Sequence, residues 1–178
     1  MRSASASSTG REATSGWNLS SDEARYSSSP PRPAGTTERR AAAGPACILL
    51  IEDNPGDVGL VREALTEHGV ECDLNVISDG EKAVRFFDDV DAAPRRCPDL
   101  VILDLNLPRR SGHDVLERVR ASTVCGSVPV VVLTSSSAHK DRQEAAALGA
   151  TRYVRKPLLL EDSIRLGGLF REMLSPRA

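Results

Sequence analysis

Five short apolar runs alternate with stretches of helical periodicity, and this alternation restricts the fold more than any other property of the chain. The runs are Cys47-Ile48-Leu49-Leu50-Ile51, Asp73 to Ile77, Leu100-Val101-Ile102-Leu103, Val128 to Leu133 and Arg152-Tyr153-Val154-Arg155. Runs this short, bounded by turn residues, read as strands, and the most continuously apolar of them as strands buried on both faces. Asn54-Pro55 opens the first helical stretch, with Pro55 at a first-turn position where its missing N–H costs nothing. Val58, Val61, Leu65 and His68 then recur at helical spacing until Gly69, and His68 reads as a helix-end residue rather than a ligand. Asp79-Gly80-Glu81 caps a second helix with Ala83, Val84, Phe86 and Phe87. Ser111-Gly112 leads into a third with Val115, Leu116 and Val119. A fourth runs from Ala138 to Leu148 before Gly149, and the last from roughly Leu160 to Leu174. Strand followed by helix, five times over, predicts an α/β protein: a doubly wound five-stranded parallel sheet flanked by five helices.

The 178 residues leave room for one such domain and a tail. Residues 1–44 are rich in serine and proline and hold few large apolar side chains, so they cannot bury enough surface to offset chain entropy. They are expected to be disordered, either as a functional tail or as the product of a start placed too far upstream, with the domain at 45–175. A net charge of −2 offers no basic field for nucleic acid, and direct DNA binding is not expected. No apolar run approaches the roughly 20 residues of a membrane span, and no apolar stretch of a secretory signal precedes the domain. The chain is therefore read as cytoplasmic. Cys47, Cys72, Cys97 and Cys125 show neither CxxC pairing nor metal-ligand spacing, and are expected as reduced thiols.

The chemistry collects where the strands stop. The first strand ends on Glu52-Asp53, the third on Asp104, the fourth on Thr134 and the fifth on Lys156. Parallel strands bring these ends to one edge of the sheet, where ligands of open α/β folds bind. Three crowded carboxylates repel one another, which raises their pKa values or recruits a cation. Magnesium, a hard ion that keeps several waters, suits them, with the backbone carbonyl of Asn106 as a further oxygen ligand. A metal alone would need neither Lys156 nor Thr134. A phosphoryl group would use both, the lysine as a mobile charge and the hydroxyl as a donor. An Asp nucleophile, a metal, a lysine and a hydroxyl suffice for phosphoryl transfer, which is mostly positioning and charge neutralisation. Each residue also has an ordinary explanation: a helix cap for Asp53, a solvated strand end for Lys156, a β-former for Thr134. Their common arrival at the ends of separate strands argues for a site.

Glu52-Asp53, Asp104 with Pro108 and Gly112, Thr134-Ser135, and Tyr153 before Lys156-Pro157 make up a specific set. On it, residues 47–174 resemble the receiver domain of two-component response regulators. The resemblance implies a flavodoxin-like receiver fold and a phosphoryl group accepted on Asp104 from a sensor histidine kinase. It implies magnesium ligated by Asp53, Asp104 and the carbonyl of Asn106, with Glu52 acting through a bound water. Thr134 and Lys156 would hold the phosphoryl oxygens, and small Ser135 would leave room for them. Thr134 and Tyr153 would form the switch, and Lys156-Pro157 is a candidate for a cis bond. Asn54-Pro55-Gly56-Asp57, Leu60, Ala64-Leu65 and Asp104-Leu105-Asn106-Leu107-Pro108 further resemble regulators that serve bacterial phytochromes. With about four residues after the last helix, the chain resembles a stand-alone receiver, not an enzyme beyond its own phosphorylation and dephosphorylation, signalling through a changed surface. A homodimer through the fourth helix, fifth strand and fifth helix is expected, on the small residues Ala145-Ala146-Ala147 and Gly167-Gly168 and the aliphatic Leu166, Leu169 and Met173. Two other classes compete. A phosphatase of the haloacid dehalogenase kind needs a second Asp two positions after the nucleophile, where Asn106 stands. A degenerate receiver used only for binding would not keep the complete acidic cluster.

Overall fold

A computed structural model describes residues 45–93, 96–157 and 160–175. The expected disorder of residues 1–44 lies outside the described residues. Strands and helices alternate from β1 (Ala46–Ile51) through α1 (Pro55–Glu67), β2 (Cys72–Ile77), α2 (Gly80–Ala92), β3 (Leu100–Leu103) and α3 (Gly112–Ala121). They continue with β4 (Val130–Thr134), α4 (His139–Ala147), β5 (Arg152–Arg155) and α5 (Leu160–Leu174). All strand pairs are parallel, in the order β2-β1-β3-β4-β5. The doubly wound five-stranded sheet expected from the alternation is therefore the observed fold.

Successive strand residues point to opposite faces, and here both faces are covered. Leu49, Ile51, Val101, Leu103, Val130 and Val132 pack under α2, α3 and α4 around Phe87. Ile48, Leu50, Leu100, Ile102, Val131 and Leu133 pack under α1 and α5 around Phe170. Fully burying each such aliphatic side chain contributes about 1.5–3 kcal/mol, which explains how a chain with 3% aromatic residues builds its core.

Local signals place the helix starts. Asn54 caps α1 by accepting from the Gly56 amide at 2.8 Å, and Asp79 caps α2 by accepting from Glu81 and Lys82. Ser111 and Asp114 form a reciprocal capping box at α3. β4 starts two residues later than its apolar run, because Val128 closes a turn onto Cys125 O and Pro129 has no N–H to give the ladder.

Three expectations are corrected. Cys97 and Cys125 are joined by a disulfide, with Cα atoms 5.6 Å apart, while Cys47 and Cys72 are free. The two halves come from the approaches to β3 and β4, so only the pairing of those strands brings them together across 28 residues. No peptide bond among the described residues is cis, so Lys156-Pro157 keeps the trans form that X–Pro bonds ordinarily prefer. Finally, much of the surface assigned to a second copy faces inward. A Cβ on Gly167 would lie 2.0 Å from the Ala64 carbonyl oxygen, so Gly167 is where α5 crosses α1 at close range. Gly168 lies beside His68, Ala145 and Leu166 are buried, and Leu169 and Met173 pack on the α1–α5 side of the core. Ala146 and Ala147 remain exposed. At the sheet margin β5 is only four residues long, with Arg152 and Arg155 exposed at its two ends.

Candidate functional site

The register decides which strand ends meet. Ile51 pairs with Leu103, Leu103 with Val132 and Thr134 with Arg155. Glu52, Asp104 and Lys156 each follow directly on a strand, and backbone bonds hold the first residue past the ladder. Asp104 N donates to Ile51 O at 3.0 Å, Glu52 N to Ile77 O at 2.9 Å, and Lys156 N to Thr134 O at 2.8 Å. Neighbouring carboxylates and the lysine are thus fixed by the sheet rather than by a mobile loop.

Lys156 Nζ lies 2.7 Å from Glu52 Oε2, 2.7 Å from Asp104 Oδ2 and 2.8 Å from Asp57 Oδ2. Glu52 and Asp104 are buried, Asp57 is a quarter exposed, and Asp53 stands at the exposed mouth. Burial works to lower the Lys156 pKa, but the bonds to Asp104, Asp57 and Glu52 outweigh it and hold the ammonium charged well above the usual lysine range. Burial raises the Glu52 carboxyl pKa, with Lys156 and the Asn54 amide only partly offsetting it. The second oxygens are also engaged: Glu52 Oε1 accepts from Asn54 N at 3.1 Å, and Asp104 Oδ1 from Asn106 N at 3.2 Å.

Glu52, Asp53 and Asp104 each offer a carboxylate oxygen within 4.8 Å of the others. Three hard oxygen donors, one at the solvent edge and two buried, fit a divalent cation that keeps part of its water shell.

Thr134 is fully buried at the end of β4. Its Oγ1 accepts from Ser136 N at 3.2 Å and has the Asn106 amide nitrogen at 3.4 Å, a distance that Asn106 Nδ2 also keeps to Ser135 Oγ. The Tyr153 hydroxyl donates to Ser136 O at 3.1 Å, and the Ser136 hydroxyl donates to Asp141 on α4. The β4–α4 loop is therefore tied to Thr134, Tyr153 and α4 together. On the other side, Gly112 N donates to Leu105 O at 3.0 Å. A Cβ there would fall 2.2 Å from the Asp104 carbonyl oxygen, so glycine lets α3 begin against the backbone that carries Asp104.

Glu52, Asp53, Asp104, Asn106, Thr134, Ser135 and Lys156 lie at this edge, while Tyr153 sits within β5 and joins them through Ser136. Asp57 was missed. It lies in the first turn of α1, 99 residues from Lys156, and a first-turn acid at that position has an ordinary reading as a helix-dipole partner. The signal available was its place in the first turn of the helix that leaves β1 directly after Glu52-Asp53, at the same edge of the sheet.

A model of the response regulator receiver domain matches residues 48–165. The chain belongs to the response regulator receiver domain family, whose role is to be phosphorylated by sensor kinases. It is 35% identical over 121 residues to the probable methanogenesis regulatory protein FilR2 of Methanothrix harundinacea, covering 68% of this chain and 78% of that protein. It is 34% identical over 125 residues to response regulator Rcp1 of Synechocystis, covering 68% and 84%. Against the transcriptional regulatory protein TrcR of Mycobacterium tuberculosis, 38% identical, it spans 74% of this chain but only 48% of the relative. Among solved structures, the phosphorylated cyanobacterial phytochrome response regulator RcpA superposes with a TM-score of 0.69 at 30% identity, over 76% of this chain and 98% of that one. The Mn2+-bound form of Rcp1 gives 0.66 at 32% identity, over 75% and 98%. The receiver domain of the Pseudomonas aeruginosa histidine kinase PA1611, with magnesium in its active-site cleft, gives 0.57 at 28%, over 75% and 100%.

Proposed function

We propose that Asp104 is the residue that accepts the phosphoryl group, and that the chain works as a single-domain response regulator in a phosphorelay. The observation that carries this is the convergence of buried Asp104 on Lys156 at 2.7 Å, beside an acidic group suited to a divalent cation. A carboxylate oxygen of Asp104 attacks phosphorus, the bond from phosphorus to the donor histidine nitrogen breaks, and an acyl phosphate forms. Asp53 and Asp104, the carbonyl of Asn106 and, through water, Glu52 would hold magnesium, which supplies charge neutralisation for the phosphoryl oxygens. Lys156 and Thr134 bind those oxygens. Turning the Thr134 hydroxyl toward them gives up its bond from Ser136 N, which shifts the loop that Tyr153 and Asp141 hold. Thr134 and Tyr153 are accordingly the switch. Turnover is limited to the protein's own phosphorylation and dephosphorylation.

The likeness to Rcp1 and RcpA supports a bacterial phytochrome as the partner kinase, and with it a cytoplasmic place. No helix among the described residues is long and apolar enough to cross a membrane. The homodimer through α4, β5 and α5 now rests on the exposed Ala146 and Ala147 and on the tie between the switch loop and α4, since Gly167 and Leu166 are turned inward. Sedimentation at micromolar concentration, with and without a phosphoryl mimic, tests it; a monomer in both states removes it. The phosphoacceptor is tested by mass after treatment with a small phosphodonor, with and without magnesium. Wild type gains one phosphoryl group only with the metal, and Asp104→Asn gains none. A labelled Asp104→Asn protein refutes the assignment.

A further inference from the structure

We infer that Asp57 is a positioning residue that competes with the incoming phosphoryl group for Lys156, and so sets how tightly the site holds it. The inference rests on Asp104 as phosphoacceptor. An ammonium group has three N–H donors and no more. In Lys156 three carboxylate oxygens, from Glu52, Asp57 and Asp104, lie at 2.7, 2.8 and 2.7 Å. A phosphoryl oxygen can reach Nζ only by displacing one of them or sharing its proton.

The three partners are not equal. Glu52 is 2% exposed, and leaving its carboxylate without the lysine would strand a buried charge. Asp104 is 4% exposed and carries the phosphoryl group itself. Asp57 is 25% exposed and can take water in place of the lysine. It is the partner that yields at least cost. Until it yields, it neutralises part of the charge that should face the phosphoryl oxygens. If it stays, its own negative charge sits within a few ångströms of theirs.

The position of the lysine does not depend on Asp57, because Glu52 and Asp104 hold Nζ from the buried side. Removing the Asp57 charge while keeping its shape should therefore strengthen phosphoryl binding rather than disorder the site. A purely structural role for Asp57 predicts the opposite sign.

The probe is beryllofluoride, titrated by calorimetry into the full chain at saturating magnesium. Asp57→Asn should bind it about tenfold more tightly than wild type, a change of about 1.4 kcal/mol. Asp57→Glu, which restores the charge, should return toward the wild-type value. Unchanged or weaker binding by a folded Asp57→Asn overturns the proposal. Asp104→Asn is run alongside. Beryllofluoride binding by that variant would refute the phosphoacceptor reading, whereas failure of the Asp57 variants alone leaves that reading intact.

Discussion

Adjacent glycines in the middle of α5 should respond to the same substitution with opposite signs. At Gly167, a new methyl would lie 2.0 Å from the Ala64 carbonyl oxygen and 2.5 Å from His68 Nδ1. Carbon and a carbonyl oxygen approach no closer than about 3.3 Å even in weak C–H···O contacts. Helices α1 and α5 must therefore separate by more than about 1 Å, and the 3.2 Å contact between His68 Nδ1 and Ala64 O is disturbed with them. Overpacking of this kind costs about 1–3 kcal/mol, and a backbone clash belongs at or above the upper end. Alanine returns about 1 kcal/mol through helix propensity. Gly167→Ala should thus destabilise by about 2 kcal/mol, lowering the melting temperature by about 6–8 °C for a domain of this size. At Gly168 the nearest atoms are His68 Nε2 at 3.4 Å and Cδ2 at 3.5 Å, both on a side chain. Gly168→Ala should keep most of the propensity gain and stabilise by about 0.5–1 kcal/mol. Urea and thermal unfolding of the two variants give the comparison. Equal shifts, or a neutral Gly167→Ala, would refute the α1–α5 close approach.

Magnesium affinity should fall more in Asp53→Asn than in Glu52→Gln, because a direct ligand of a hard cation contributes more than a group acting through water; equal losses by metal titration would reverse the ordering. Asp91 accepts from Ser122 and Arg118, bonds that hold its pKa down to about 2 from the usual 3.8. A depressed carboxyl pKa stabilises the fold above the unfolded value and loses that contribution as pH falls through the folded one, so Asp91→Asn should flatten the stability profile between about pH 4 and 2; an unchanged acid limb would contradict this. Oxidised protein, unfolded under non-reducing conditions, should show two titratable thiols rather than four, and opening the Cys97–Cys125 bridge should cost about 2–4 kcal/mol in unfolding experiments; four thiols would remove the bridge.

The fold was legible because both covered faces of the sheet leave a mark in local sequence. Leu100 to Leu103 is apolar at every position, as a doubly buried strand must be, and Asp79 and Asn54 announce the helices they cap. The core of the site was legible for a related reason: a residue immediately after a strand inherits its place from the ladder, so Asp104 and Lys156 could be placed without side-chain detail. What could not be read depends on meetings between elements distant in sequence. Asp57 reaches Lys156 from α1, Cys97 meets Cys125 only after β3 and β4 pair, and Gly167 looks like a weak point in α5 until α1 is laid against it. The same pattern of small residues fits a contact with a second copy or a contact within the chain, and local sequence does not distinguish the two.

The short margin strand β5 bears on aggregation. An open sheet edge offers unpaired N–H and C=O groups to any other extended chain. Arg152 and Arg155 stand exposed at the two ends of these four residues. Two such edges brought together would crowd four guanidinium groups along a seam only a few residues long. Like charges opposed in that way disfavour extension of the sheet from one copy to the next. Extension of the sheet through β5 is therefore disfavoured, which leaves side-chain contacts rather than strand pairing for any association on that side.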